Sequence, residues 1–296
     1  MPRAARSRAR RVAALLALAL AAPLAACTTS TGDAGAEPGP LPDGLGVSVQ
    51  QGRLDVPQGR LVLHFENTGD PLTVTSLVVH SPALEPGMER DDPFELGRDD
   101  AIDIRLDLPG SICDGDPADI GVDVAATTED GTALAGTLQP DDPFDTMARI
   151  ADTDCLAESV AGVATIALPE RLRTTGSGAD RRAWIDVRVE PVASGDGTLR
   201  IDGVSATTLI GNEDGQDWPL SIEVGAGDEP VEVALAVRPA RCDAHALADD
   251  KRGTILPFTV ATGDGRSGRL ELASGPELKA DLYAYYAERC ELGPAG

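Results

Sequence analysis

The sequence predicts a mainly β protein built from two similar halves. Short alternating apolar runs are punctuated by Gly, Asp and Pro, which is typical of β-sandwiches. A strand pattern followed by Pro and then Cys-Asp occurs twice, at residues 104–114 and 233–243. Two further strand patterns, a helical pattern and a second Cys follow each copy. We therefore expect two tandem β-sandwich domains of the Ig-like type, each ending in a short helix pinned by a disulfide.

The first copy contains five strand patterns and one helical pattern. The strands are expected at residues 61–65, 72–79, 104–109, 120–126 and 134–138, with a turn at Asp130-Gly131. The helix follows Pro143, and its apolar residues recur at three- and four-residue steps up to Cys155. We expect Asp142 to cap this helix and Phe144 to face the core.

The second copy repeats this order. Its strands are expected at residues 184–189, 199–201, 233–239, 254–261 and 270–272, with a turn at Asp264-Gly265. Its helix begins at Pro276, a residue that suits the first helical turn, and Tyr285 and Tyr286 are expected in the core. The predicted domains are residues 44–157 and 163–292, with a spacer near residues 157–162.

Four cysteines lie in these two copies, and four cysteines allow three connectivities. The repeat selects Cys113–Cys155 and Cys242–Cys290, because each copy would inherit the same bridge. The alternative is free buried thiols. No Cys pair has the spacing of two to four residues that zinc sites use.

The first 26 residues read as an export signal. A basic segment precedes a short run of Ala and Leu, too short for a comfortable transmembrane helix. Leu24-Ala25-Ala26-Cys27 resembles the bacterial lipobox, and this resemblance implies lipid attachment at Cys27 after removal of residues 1–26. The alternative is an ordinary signal cut near Ala26, with Cys27 a free thiol. Residues 27–43 are poor in large apolar side chains, so we expect a disordered tether.

The predicted location follows from this start: the cell membrane, lipid-anchored, on the extracytoplasmic face. Two or three acyl chains hold a protein stably on a bilayer. The chain has a net charge of −24. Removing residues 1–26 takes away five Arg and no acid, leaving 20 basic against 49 acidic residues, a net charge of −29. Such acidity disfavours nucleic acid as a partner; an envelope protein or a small ligand is the expected kind of partner.

The segment 241–254 carries the densest set of chemically active side chains. Its pattern Cys-Asp-x-His-Ala-x-x-x-Asp-Lys-x-Gly-Thr resembles that of uncharacterised secreted actinobacterial lipoproteins, a resemblance that carries no known activity. Asp243, His245, Asp250 and Lys251 are candidates for a small binding site, since carboxylates favour the charged form of a neighbouring His. The alternative is a structural loop in which these charges pair with neighbours beside the disulfide.

Other functional signals are sparse. The chain has three His (His64, His80 and His245), no Gly-x-Ser-x-Gly elbow and no phosphate-binding Gly loop. Two acidic turns, at residues 114–119 and 212–217, could hold calcium but lack the spacing of an EF-hand. We expect no cofactor and a non-enzymatic binding or scaffold role. The alternative function is metal or small-ligand binding around His245.

Overall fold

The computed structural model describes residues 37–248, 250 and 252–292 and is mainly β, as predicted. In the first half the elements are β1 (Leu45–Gln50), β2 (Arg60–Asn67), β3 (Leu72–His80), β4 (Met88–Arg90), β5 (Phe94–Leu96), β6 (Asp100–Asp107), β7 (Gly121–Thr128), β8 (Ala133–Leu138) and α1 (Thr146–Ala161). In the second half they are β9 (Ala164–Ala167), β10 (Arg173–Thr175), β11 (Arg182–Pro191), β12 (Thr198–Val204), β13 (Ile210–Gly211), β14 (Trp218–Gly225), β15 (Val231–Pro239), α2 (Ala244–Ala248), β16 (Ile255–Thr262), β17 (Ser267–Ala273) and α3 (Pro276–Arg289).

Both halves contain two antiparallel sheets with the same strand order. In the first half the sheets are β1-β2-β6 and β4-β3-β7-β8, with β5 also paired to β3. In the second half they are β10-β11-β15-β13, with β9 also paired to β11, and β14-β12-β16-β17. Strands β2, β3, β6, β7 and β8 thus correspond to β11, β12, β15, β16 and β17, and a helix follows each set. Alternating side chains of these strands are buried, as in Leu61, Leu63 and Phe65, which are fully buried.

Two irregularities repeat at matching positions. The register of β3 shifts between Val74 and Ser76, and that of β12 shifts between Ile201 and Gly203. The hairpin after β7 and the hairpin after β16 also share their hydrogen bonds. Thr128 donates to Asp130, and Thr262 donates to Asp264 at 2.6 Å. This agreement supports the repeat read from the sequence.

Buried apolar side chains form two clusters, one from Leu45 to Ile150 and one from Leu156 to Tyr286. Residues from Pro38 onward nevertheless form one compact unit, so the boundaries 44–157 and 163–292 stay predictions. The expected spacer at 157–162 is helical up to Ala161. One helix therefore contributes to both cores.

Residues 38–43, expected to be part of the disordered tether, are ordered in the structure. Gly39 donates its N–H to the Ala133 carbonyl at 2.8 Å and accepts from the Ala135 N–H at 2.9 Å. Leu41 packs against the first core. The residues from Pro38 to Asp43 belong to the fold because a paired backbone and a partly buried Leu offset their chain entropy. Cys27 and the rest of the predicted tether up to residue 36 lie outside the described residues.

The start of α1 agrees with one prediction and contradicts another. The Asp142 carboxylate accepts hydrogen bonds from the N–H of Thr146 at 2.7 Å and of Met147 at 2.8 Å, so it caps the first turn. Phe144, expected in the core, is 65% exposed because it precedes the helix in the loop. Met147 and Ile150 fill the first core instead.

Both disulfides join the cysteines that the repeat selected. Cys113 and Cys155 lie 5.5 Å apart at Cα, and Cys242 and Cys290 lie 5.2 Å apart. The first bridge ties the loop after β6 to α1, and the second ties the loop after β15 to the residue that follows α3. Among the described residues, no helix is long and apolar enough to span a bilayer.

Candidate functional site

The loop between β15 and β16 holds the residues that the sequence proposed as a site. It contains the short helix α2 and is fastened to α3 by the Cys242–Cys290 bridge. The buried hydroxyl of Tyr286 reinforces this attachment, because it donates to the Arg241 carbonyl and accepts the Asp243 N–H at 3.2 Å. The disulfide and the Tyr286 hydroxyl therefore hold this loop against α3.

Asp243 organises the start of α2. Its carboxylate accepts the backbone N–H of His245 at 2.9 Å. This hydrogen bond is the main reason that the pKa of the Asp243 carboxyl lies below its usual range. The carboxylate thus satisfies a backbone donor at a helix start, as a structural Asp does.

The His245 side chain points to solvent. It is 92% exposed, and its Nδ1 lies 3.4 Å from the Asp243 carboxylate. An ion pair at such exposure contributes little binding energy. His245 has the position of a surface residue rather than of a group held in a cleft.

Asp250 faces a different set of partners. Its two oxygens accept the Gly253 N–H at 2.6 Å and the Tyr283 hydroxyl at 2.9 Å. Desolvation, together with this hydrogen bond, raises the pKa of Tyr283 to about 12. A Cβ at Gly253 would lie 2.5 Å from Asp250 Oδ1 and from Leu209 Cβ, so the close turn needs glycine. Asp250 therefore holds the turn before β16 against α3.

The three candidates that the structure describes, Asp243, His245 and Asp250, do not form one site. Asp243 and Asp250 each use their oxygens on neighbouring backbone or tyrosine donors, and His245 faces water. Lys251 lies outside the described residues. This geometry supports the structural alternative for the loop.

The acidic turns are also structural. Asn212 Oδ1 accepts the N–H of Asp214 at 2.8 Å and of Gln216 at 2.9 Å, and Asp217 accepts the Ala206 N–H at 2.6 Å. In the turn at 114–119, Asp116 accepts the Ala118 N–H at 2.9 Å. Within the described part of the chain, no three metal-ligating side chains come together.

The sequence analysis did not predict one cluster of polar side chains, which includes a histidine and two carboxylates. Ser48, His64 and Asp103 lie directly opposite one another on β1, β2 and β6. His64 Nδ1 lies 2.8 Å from Asp103 Oδ1, and its Nε2 lies 3.2 Å from Glu66 Oε1. The hydrogen bond to Asp103 is the largest cause that raises the pKa of His64 above 6.5. Only the strand register brings these residues together, so no local motif could have revealed them.

This row borders a cleft of about 520 Å³ that Ser48, His64, Glu66, Asp141 and Asp142 line. A Ser nucleophile would need the imidazole nitrogen that faces it as a base. His64 Nε2 instead interacts with Glu66, which is itself exposed. Asp142 already caps α1. The row is thus a charged surface cluster on the outer face of the β1-β2-β6 sheet.

No family model and no curated protein matches the chain. Among solved structures, it is similar to red sea bream transglutaminase, at 11% identity over 79% of this chain and 32% of that one, with a TM-score of 0.23. It is similar to the YadV chaperone at 13% identity over 77% and 100%, with a TM-score of 0.21. A protein of unknown function from Porphyromonas gingivalis W83 gives 16% identity over 77% and 98%, also at 0.21. The chain spans about a third of the transglutaminase, and TM-scores this low give no argument about activity or partners.

Proposed function

We propose that this protein is exported, anchored to the outer face of the cell membrane through a lipid on Cys27, and acts there as a non-enzymatic binding or scaffold body. The observation that carries the proposal is the pair of disulfides, one within each half. Disulfides persist in oxidising compartments and are rare in the reducing cytosol. They are what an exported protein would use.

The start of the sequence supports the same location. A basic segment, a short apolar run and Leu24-Ala25-Ala26-Cys27 stand at residues 1–27, in the order that an export signal and a lipobox require. With all four later cysteines in disulfides, Cys27 is the fifth and remaining cysteine of the chain. A dedicated thiol at this position fits lipid attachment.

The shape of the folded part supports a scaffold rather than a catalyst. Asp243 and Asp250 serve local structure, and the His64 cluster is a set of surface ion pairs. Two β halves share one helix, which limits how they can move relative to one another. A strongly acidic chain stays soluble, which suits the display of a binding face outside the cell.

The test is localisation of the chain expressed with its own first 27 residues. Wild type should fractionate with membranes and resist extraction by high salt. Cys27→Ser should appear in the soluble extracytoplasmic fraction, because the acyl acceptor is gone. Thr28→Ser is the matched control and should stay with the membrane. Salt-extractable wild type, or a Cys27→Ser protein that stays bound, would contradict the anchor.

A further inference from the structure

The β15 strand has an open edge along part of its length. On one side it pairs with β11 from Val231 to Val237. On the other side it pairs only through Arg238 and Pro239, with the two-residue strand β13, in the described part of the chain. In an antiparallel ladder, the N–H and C=O of alternate residues point to opposite sides.

The orientation of these backbone groups follows from two contacts. Ala240 donates to the Leu209 carbonyl at 2.9 Å, on the β13 side. The Trp218 indole donates to the Ala236 carbonyl at 2.7 Å. Residues of this parity therefore face away from β11, which leaves the N–H and C=O of Ala234 and Glu232 directed at the open edge.

Two other sheet edges, those of β8 and β1 in the first half, are covered by other parts of the chain. Gly39 pairs with β8 through two backbone hydrogen bonds. Asp141 pairs with β1, accepting the Val49 N–H at 2.8 Å and donating to Val47 at 3.0 Å. Proteins cover, shorten or charge their sheet edges because an open one accepts foreign strands.

The counterpart of β15 in the first half, β6, carries charges along its outward face. Asp103, Arg105 and Asp107 stand there, and each makes an ion pair with a neighbouring strand or loop. The outward side chains of β15 at the open edge are Glu232, which pairs with Arg188 of β11 at 2.9 Å, and the small Ala234 and Ala236. The two alanines leave the backbone of β15 accessible where β6 carries its three charged side chains.

A cleft of about 270 Å³ lies along this edge. Its apolar wall comes from Trp218, Pro219 and Leu220 of β14 and from the β15 residues 233–236. Glu213 and Asp214 also line the cleft, and both are exposed. The Arg238 guanidinium donates to the backbone carbonyl of Glu213 at 2.7 Å, not to its carboxylate. Neither carboxylate makes an ion pair with a described residue. The cleft thus combines the open backbone groups of β15, an apolar wall and two carboxylates.

We propose that this cleft binds an extended, lysine- or arginine-bearing peptide segment of a partner protein, which adds as a strand to β15. Backbone hydrogen bonds to Ala234 and Glu232 supply the affinity, as in other cases of strand addition. Apolar side chains of the segment contact Trp218 and Leu220. Its basic side chains face Glu213 and Asp214, which select against acidic segments. The proposal deepens the binding role proposed above but does not depend on lipid attachment.

The experiment uses the full chain with Cys27→Ser, to avoid the lipid, and two synthetic probes. One is an acetylated and amidated Thr-Val-Lys-Val-Lys-Val peptide, and the other replaces both Lys with Glu. Amide NMR shifts are followed during titration with each probe. The lysine peptide should saturate and shift the amides of residues 232–236 and 218–220. The glutamate peptide should bind at least about fivefold more weakly, since two exposed charge contacts change sign.

Two variants locate the interaction. Ala234→Pro removes the open-edge N–H without touching a β11 hydrogen bond and should abolish binding. Glu213→Lys with Asp214→Lys should weaken the lysine peptide about fivefold. Glu89→Lys with Glu95→Lys makes the same charge change on exposed sites of the first half and should leave binding unaltered. If Ala234→Pro does not fold, the charge variants decide.

Several results would overturn the proposal. They are the absence of saturation, shifts confined to other surfaces, or equal binding by the folded Ala234→Pro protein. Concentration-dependent broadening of residues 232–236 without peptide would instead assign the edge to a second copy of this chain. If the lysine peptide does not bind but Cys27 is acylated in the wild type, the peptide partner is rejected and the proposed lipid anchor is not.

Discussion

The two halves share strand order, bulges and hairpins, yet their helices end differently. α1 continues beyond Cys155 to Ala161, whereas α3 ends at Arg289, just before Cys290. The additional residues of α1 carry Leu156 and Val160 into the second core. The Ser159 hydroxyl in the same turn lies 2.8 Å from the Thr262 hydroxyl and 2.8 Å from the Asp264 carboxylate, within hydrogen-bond distance of both. One extension of a repeated helix is thus enough to convert a terminal element into a joint.

The disulfide loops differ in the same way. The Cys113 carbonyl accepts a hydrogen bond from Arg266 of the second half at 3.3 Å. The loop around Cys242 contacts its own helix through Tyr286. The first bridge therefore lies at the joint, while the second stabilises one end of one half.

The largest expected effect comes from removing each bridge in turn. Closing a loop of 42 or 48 residues stabilises a fold by about 4 kcal/mol in the chain-entropy model. Cys113→Ser with Cys155→Ser should lower stability and split calorimetric unfolding into two transitions, because the joint loosens. Cys242→Ser with Cys290→Ser should lower stability by a similar amount and mainly affect the second half. Indistinguishable unfolding profiles for the two variants would contradict the different roles assigned to the two bridges.

Truncation of core side chains along α1 tests further whether one helix contributes to two distinct cores. Leu156→Ala and Ile150→Ala each remove a buried side chain of one helix and should cost about 2–4 kcal/mol. Their effects should separate in space. Native-state hydrogen exchange should accelerate in β16 and β17 for Leu156→Ala and in the first half for Ile150→Ala. Uniform acceleration across both halves by either variant would mean that the cores are not distinct.

The α2 loop provides a test of intermediate size. Tyr286→Phe removes two part-buried hydrogen bonds, to the Asp243 N–H and the Arg241 carbonyl, and should cost about 1 kcal/mol. His245→Ala removes a solvent-exposed ring and should change the unfolding free energy by less than about 0.5 kcal/mol. Denaturant unfolding measures both. A larger loss for His245→Ala than for Tyr286→Phe would refute the structural interpretation of this loop.

The smallest effect is a pH dependence in the first half. Because the folded pKa of His64 is raised above 6.5, its contribution is fully present below that value and disappears as pH rises through the folded pKa. Wild type should therefore exceed His64→Gln in stability by less than about 1 kcal/mol at about pH 5.5, and the difference should vanish at about pH 8. An advantage that grows with pH would reverse the assigned sign.

Much of the fold could be predicted from the sequence because alternation and repetition are local signals. The five repeated strands of each half, the helices α1 and α3 and both disulfides follow from them, whereas β1, β14 and α2 were not predicted. Short strands such as β4, β5 and β13 were not predicted either, since two or three residues are too few to show a periodicity. The sequence around Gly39 predicts a disordered tether, because the order of this segment depends on pairing with Ala133 and Ala135, far along the chain.

The site was harder to predict for a related reason. Asp243, His245 and Asp250 are close in sequence, but the turn at Gly253 and the packing on Tyr283 and Tyr286 direct them apart. Conversely, Ser48, His64 and Asp103 are distant in sequence and become neighbours only through strand register. Register depends on the whole sheet and cannot be read from one segment.

The most direct test of the central claim is mass spectrometry of the intact and digested protein isolated from membranes under non-reducing conditions. The account predicts a chain that begins at Cys27 with acyl groups attached. It also predicts disulfide-linked peptides that join Cys113 to Cys155 and Cys242 to Cys290. A mature chain whose first residue is unmodified, or peptides that link a cysteine of one half to a cysteine of the other, would contradict it.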